Sequence, residues 1–243
     1  MYYKAHDGSR IITPLGERDM TGFIVYFVLL SIVHLFFCYF GMHTPRKLTK
    51  PLLLLSLCIY YACAAKPVDA AVLAALIGGL AGDILLISED TGRAFIAGAL
   101  SFTLGHGLYA LSIFRCTPGA TQPRLITAAV FIAIYVIVVA YMSFRLEKHV
   151  DDKKFRILMP VYLSIVAAVN VFAWVNLVLR IKSGEGQFYA ALITLGAILF
   201  LASDTILARS MFARDVKRPN FPVMLTYIPA QALLCFGFIG LGA

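Results

Sequence analysis

Apolar residues run through this chain in long blocks, and polar residues are confined to short stretches between them. A helix needs about 20 apolar residues to cross the hydrocarbon core of a bilayer. Eight blocks reach or approach that length, at about 22–41, 49–65, 68–88, 94–114, 125–144, 157–180, 187–208 and 221–242. The second is the shortest, with Lys50 and Pro51 at its start, and Lys66-Pro67 forms a tight link to the third. The pattern predicts an all-α polytopic membrane protein: a polar N-terminal tail over 1–21, then one bundle of eight transmembrane helices over 22–243. The first block is too long for a signal-peptide core and no small-residue cleavage site follows it, so it is expected to stay as a helix.

Composition agrees with the pattern. Of 243 residues, 60% are hydrophobic and 14% are charged, and the mean hydropathy is +0.85. A soluble domain carries about 45–50% apolar and about 25% charged residues, so the charges here are too few to cover a water-facing surface. The net charge of +8 would suit nucleic acid, but the basic residues sit at the ends of apolar blocks. There they snorkel to the interface and meet anionic head groups. No basic face with interleaved stacking aromatics exists, so membrane lipid is the expected partner and nucleic acid is not. Cys38, Cys58, Cys63, Cys116 and Cys235 form no CxxC pair and read as apolar filler rather than a zinc or redox motif. Eight spans place both termini on one side. Lys and Arg number 8 on that side and 13 on the other, which puts the odd-numbered loops in the cytoplasm and the termini outside.

An ionisable side chain inside a spanning helix is costly unless it is paired or hydrated, so each one is a functional candidate. Two stand out: Asp83 in "LAGDILL" and Asp204 in "LASDTIL". Either could instead be a structural carboxylate pinning two helices. Their depths agree, because a rise of 1.5 Å per residue sets Asp83 roughly 8 Å and Asp204 about 6 Å from the same membrane face. The same arithmetic brings Tyr162 and Tyr227 within about 10 Å of that face, with Lys50 at its edge. Two carboxylates in one apolar layer cannot both ionise easily, which leaves a protonated acid beside an ionised base, the equipment of general acid/base hydrolysis. Lys50 could hold one carboxylate ionised, bind a lipid phosphate, or simply snorkel. His106 lies deeper, with Tyr109 three residues on along the same face. A buried histidine is more often a hydrogen-bonded core residue than a catalyst. Gln231 is one turn beyond Tyr227 and is expected to look inward with it. No His-x-x-x-His pair exists, and neither a metal nor a cofactor is expected. Glu89 and Asp90 read as loop caps or as the rim of the site. The "LA[G/S]D" similarity joins two blocks four helices apart that run the same way. A parallel four-plus-four repeat would leave that mark.

These residues also carry a resemblance. "GDILLISEDTGRAFIAGALSFTLGHGLYA" (Gly82 to Ala110) is similar to the central signature of the YhhN family of lysoplasmalogenases. "GAILFLASDTILA" (Gly196 to Ala208) resembles its second signature, built around Ser-Asp, and "TYIPAQALL" (Thr226 to Leu234) its last-helix Tyr and Ala-Gln. The resemblance covers spans two to eight and implies eight helices. It also implies hydrolysis of the vinyl-ether bond of a lysophospholipid, a lysoplasmalogen, to a fatty aldehyde and glycerophosphoethanolamine or glycerophosphocholine. Asp83 and Asp204 match the aspartates of the two signatures, and His106, Tyr109, Ser203, Tyr227 and Gln231 match their neighbours. The expected setting is a multi-pass protein of a bacterial cytoplasmic membrane rather than the endoplasmic reticulum. A proton-coupled transporter and a non-enzymatic lipid-binding protein are the other readings that paired intramembrane carboxylates admit.

Overall fold

The computed structural model describes residues 17–88, 92–150, 153–213, 216 and 218–242. Among these residues the chain forms eight α-helices and no strand: α1 (Glu17–Tyr39), α2 (His43–Ala64), α3 (Ala70–Leu85), α4 (Arg93–Cys116), α5 (Thr121–Glu147), α6 (Lys153–Ser183), α7 (Gln187–Ala208) and α8 (Asn220–Leu241). Seven are long and apolar enough to cross a membrane. Helices are what hydrocarbon demands, since each satisfies its own backbone hydrogen bonds where no water can.

The boundaries depart from the apolar blocks in two informative places. α1 begins at Glu17, inside the stretch expected to be tail, although its apolar part starts at Thr21. Residues 1–16 of that expected tail lie outside the described residues, as do Glu89 and Asp90. α3 is only 16 residues long, about 24 Å at 1.5 Å per residue, and it ends two residues after Asp83. A 3₁₀ turn, Leu86–Ser88, continues the chain. Asp69 sets the other end of α3, its carboxylate accepting from the Ala71 amide at 2.8 Å, as an N-cap side chain does. The short helix leaves Asp83 in its last turn, buried near one end of the bundle.

Packing follows the chain in two runs. α1 to α4 pack in sequence, α5 to α8 pack in sequence, and the halves join through α4 against α6 and α8 against α2, with α8 also meeting α1 and α3. Adding four to each helix number turns the first run into the second and exchanges the two joining pairs. That is the neighbour pattern of two like-oriented four-helix units. Small residues permit the closest crossings. A side chain at Gly105 would come within 3.1 Å of the Ala75 carbonyl on α3, and one at Gly196 within 2.9 Å of the Ala230 carbonyl on α8.

The core joins α2, α3, α4, α7 and α8 around Leu54, Leu57, Tyr61, Leu76, Ile113 and Phe238. α5 is peripheral: no residue of its most apolar stretch is buried, and its sides away from α6 present Ile, Val and Phe to lipid. On the face opposite the site, polar side chains consume one another. Arg180 donates to the Cys116 carbonyl at 2.6 Å and to Asn176 Oδ1 at 3.2 Å, while Asn176 donates to Thr117 Oγ1 at 3.0 Å. Buried polar groups paired in this way fasten α4 to α6 and leave nothing over for chemistry.

Candidate active site

The candidate residues gather where α2, α3, α4, α6, α7 and α8 approach the face carrying the α1–α2, α3–α4, α5–α6 and α7–α8 connections. Asp83 (α3) is almost fully buried and takes two partners. Lys50 Nζ on α2 lies 3.1 Å from Oδ1, and the Tyr227 hydroxyl on α8 donates to Oδ2 at 2.8 Å. A chain of hydrogen bonds continues inward from Tyr227. Gln231 Nε2 donates to the Tyr227 oxygen at 3.4 Å, and Tyr109 on α4 donates to Gln231 Oε1 at 2.9 Å. Tyr109 and Gln231 thus fix the orientation of Tyr227, and through it of the Asp83 carboxylate.

Asp204 (α7) is also buried, with a tyrosine and a histidine in place of a lysine beside it. Tyr162 on α6 donates to Oδ2 at 2.7 Å. His106 on α4 presents Nε2 to the same oxygen at 3.9 Å. The other ring nitrogen is placed by its partner: Nδ1 lies 2.7 Å from the Phe102 carbonyl, which can only accept, so Nδ1 carries a hydrogen, and Nε2 offers a lone pair when the ring is neutral. That nitrogen finds no hydrogen-bond partner among the described residues. Phe200 packs edge-on against the His106 ring at 4.3 Å and against Tyr227 at 5.4 Å, an aromatic wall between the two carboxylate neighbourhoods.

Both carboxylates open into one chamber of about 340 Å³, which Arg46, Lys50, Ser203 and Tyr227 also line. Ser203 donates to the Val223 carbonyl at 3.2 Å, so its hydroxyl ties α7 to α8 beside Asp204. Past Asp204, α7 loosens into a π-turn over Arg209–Ala213. Such turns often mark functional sites, and here Ser210 and Met211 join the chamber wall. Among the described residues no group of three or more His, Cys, Asp or Glu side chains is placed to hold a metal ion.

Lys50, Asp83, Tyr162, Asp204 and Tyr227 therefore meet as their common depth predicts, with His106 against Asp204. Tyr109 stands a layer behind. Sequence reasoning missed Arg46, one helical turn before Lys50 and buried at the chamber rim. The signal was present, because residues four apart share a helix face. It also missed Phe102, whose ring lies where a side chain on Gly82 would stand, 2.6 Å from its Cβ. Nothing in the sequence alone marks that contact.

The fold defines a polytopic α-helical membrane protein, and two carboxylates share a chamber near one end of its bundle. A model of the YhhN family matches residues 46–238, and the chain belongs to that family. The human protein lysoplasmalogenase TMEM86A is 27% identical to it over 175 residues, 72% of this chain and 68% of that protein. No solved structure matches the chain significantly.

Proposed function

We propose that this protein is an intramembrane hydrolase that cleaves the vinyl-ether bond of a lysoplasmalogen, with Asp204 as general acid and Asp83 as general base. One observation carries the reading: two carboxylates share a chamber with unlike partners, a lysine ammonium beside Asp83 and a tyrosine hydroxyl with a histidine ring beside Asp204. Family membership and the similarity to a human lysoplasmalogenase support the substrate class.

A vinyl ether needs a proton more than a nucleophile. Asp204, protonated among a phenol and an imidazole lone pair, gives its proton to the second carbon of the chain, and the π-bond electrons form the new C–H bond. The first carbon becomes an oxocarbenium ion, as in glycoside hydrolysis. Asp83, ionised beside Lys50, takes a proton from water as the water oxygen bonds to that carbon. The hemiacetal then collapses. Its hydroxyl proton returns to Asp204, the bond to the glycerol oxygen breaks, and Asp83 delivers its proton to that oxygen. Both carboxyl groups are restored, and the products are a fatty aldehyde and a glycerophospho-alcohol. Arg46 and Lys50 line the chamber where an anionic phosphate would sit. The charge count puts that face in the cytoplasm.

The test is aldehyde release from 1-alkenyl lysophosphatidylethanolamine by the purified protein, beside Asp83→Asn and Asp204→Asn variants that bind the lipid. General acid/base groups contribute about 10²–10⁴-fold, so each variant should lose at least about a hundredfold. In heavy water the aldehyde should carry one deuterium at its second carbon. Binding without turnover by the wild type would sink the hydrolase reading and leave the transporter one.

A further inference from the structure

The chamber opens sideways, between α4 and α6. A groove of about 180 Å³ leaves it there, and Asp204 lines both cavities. Asp83 lines the chamber but not the groove. The groove floor is Ala99, Phe102 and Thr103 of α4, facing Tyr162 and Ile165 of α6. Its polar atoms are already engaged. Thr103 donates to the Ala99 carbonyl at 2.7 Å, and the Tyr162 hydroxyl is bonded to Asp204. What remains for a guest is hydrocarbon, with one carboxyl group at the inner end.

The outer end faces the bilayer. Ile96 and Leu100 on α4 and Leu158 and Val161 on α6 form its lips and are 40%, 56%, 48% and 53% exposed, at a level where a membrane protein meets lipid tails. Phe95 to Thr103 spans about 12 Å along α4. A hydrocarbon chain laid in the groove would therefore begin at Asp204 and leave between the lips, its remainder still in the leaflet.

We propose that the α4–α6 groove is the lateral portal and seat for the single hydrocarbon chain of the lysolipid. This rests on the hydrolase reading of the chamber and adds to it where the substrate enters and what sets chain preference. Charge and continuity fix the guest as an amphiphile: a chamber lined by charged side chains, Arg46 and Lys50 with Asp83, shares a wall of Leu86, Phe95, Phe102, Asp204, Leu207 and Met211 with an apolar groove. Asp204 is the one polar residue of that wall, and the junction between head and chain of a bound lysolipid falls beside it. The chain-side carbon that must receive the proton then lies on the groove side of Asp204, and the water that follows comes from the chamber side, where Asp83 stands. Turnover should rise with chain length until the groove is filled and then level off, since further carbons stay in the membrane.

The experiment uses the full chain in lipid nanodiscs, with hexadecenyl and butenyl lysophosphatidylethanolamine as substrates. Ala99→Trp fills the floor of the groove. It should lower turnover of the long-chain lipid about a hundredfold, the scale of displacing a reacting bond by about an ångström, while butenyl turnover stays within about threefold. Leu104→Trp, on the same helix, exposed and outside the groove, should leave both rates as they are. Equal loss of both substrates in Ala99→Trp, or loss of neither, overturns the proposal while leaving the hydrolase reading intact. A second measurement is independent of turnover and of the variant's folding. A lysolipid with a diazirine on its chain is photo-crosslinked to wild-type protein, and labels on Ala99, Thr103 or Ile165 are expected. Labels confined to other helices overturn the portal. If wild type turns over neither lipid but the label still lands in the groove, the portal stands and the hydrolase reading falls.

Discussion

Asp83 and Asp204 occupy matching places in the two halves of the bundle. Each takes one partner from a helix of its own half, Lys50 of α2 or Tyr162 of α6. Each also meets one residue from the last helix of the other half, Tyr227 of α8 or His106 of α4. The layout is shared and the chemistry is not. Where one half supplies an ammonium, the other supplies a phenol. Both carboxylates receive a tyrosine hydroxyl, and Asp204 has an imidazole ring where Asp83 has the ammonium. Identical carboxyl groups at similar depth can thus hold different protonation states, because Coulomb attraction in a low-dielectric site depends on a single neighbouring charge.

That comparison can be broken most severely at Lys50. Lys50→Met would leave the Asp83 carboxylate buried without its counter-charge, and breaking a buried pair costs about 3–5 kcal/mol. Thermal unfolding in detergent should show the loss, and Lys50→Met combined with Asp83→Asn should recover most of the stability without recovering turnover. A single Lys50→Met variant as stable as wild type would mean that Asp83 is not held as an ion.

The two tyrosines sharpen the contrast. Tyr227→Phe removes a hydrogen bond to the carboxylate assigned as charged, worth about 1.5–3 kcal/mol, whereas Tyr162→Phe removes one to a neutral acid, worth about 0.5–1.5 kcal/mol. Unfolding midpoints of the pair should differ in that order. Equal losses would erase the distinction between the halves. Ser203→Ala is the smallest change. It deletes the tie to the Val223 carbonyl and should cost about 1 kcal/mol, with turnover falling less than about tenfold, since the hydroxyl is engaged in structure rather than aimed at the substrate.

Much of this was legible in the chain itself. Apolar blocks long enough to span a bilayer can hardly fold any other way, because lipid leaves no alternative partner for the backbone. Helical rise converts residue number into depth, so the common layer of Lys50, Asp83, Tyr162, Asp204 and Tyr227 could be read without coordinates. The "LA[G/S]D" pair lies on α3 and α7, each of which packs most closely on the helix that follows it. The short α3 was less legible. Its apolar block runs to residue 88, and hydropathy cannot separate a last helical turn from a 3₁₀ continuation of the same composition.

Only the tertiary structure decided who faces whom. Depth fixes one coordinate of a side chain, while rotation about each helix and the order of helices around the bundle come from small-residue crossings such as Gly105 over Ala75 and Gly196 over Ala230. In the packed bundle Lys50 meets Asp83 and Tyr162 meets Asp204, His106 Nε2 lies toward Asp204, and a groove opens between α4 and α6 beside it. Sequence determined that two carboxyl groups would share a layer of the membrane, because hydrophobic length is a one-dimensional property. Their unlike partners were decided in three dimensions, where close packing of helices selects among contacts that hydropathy leaves equivalent.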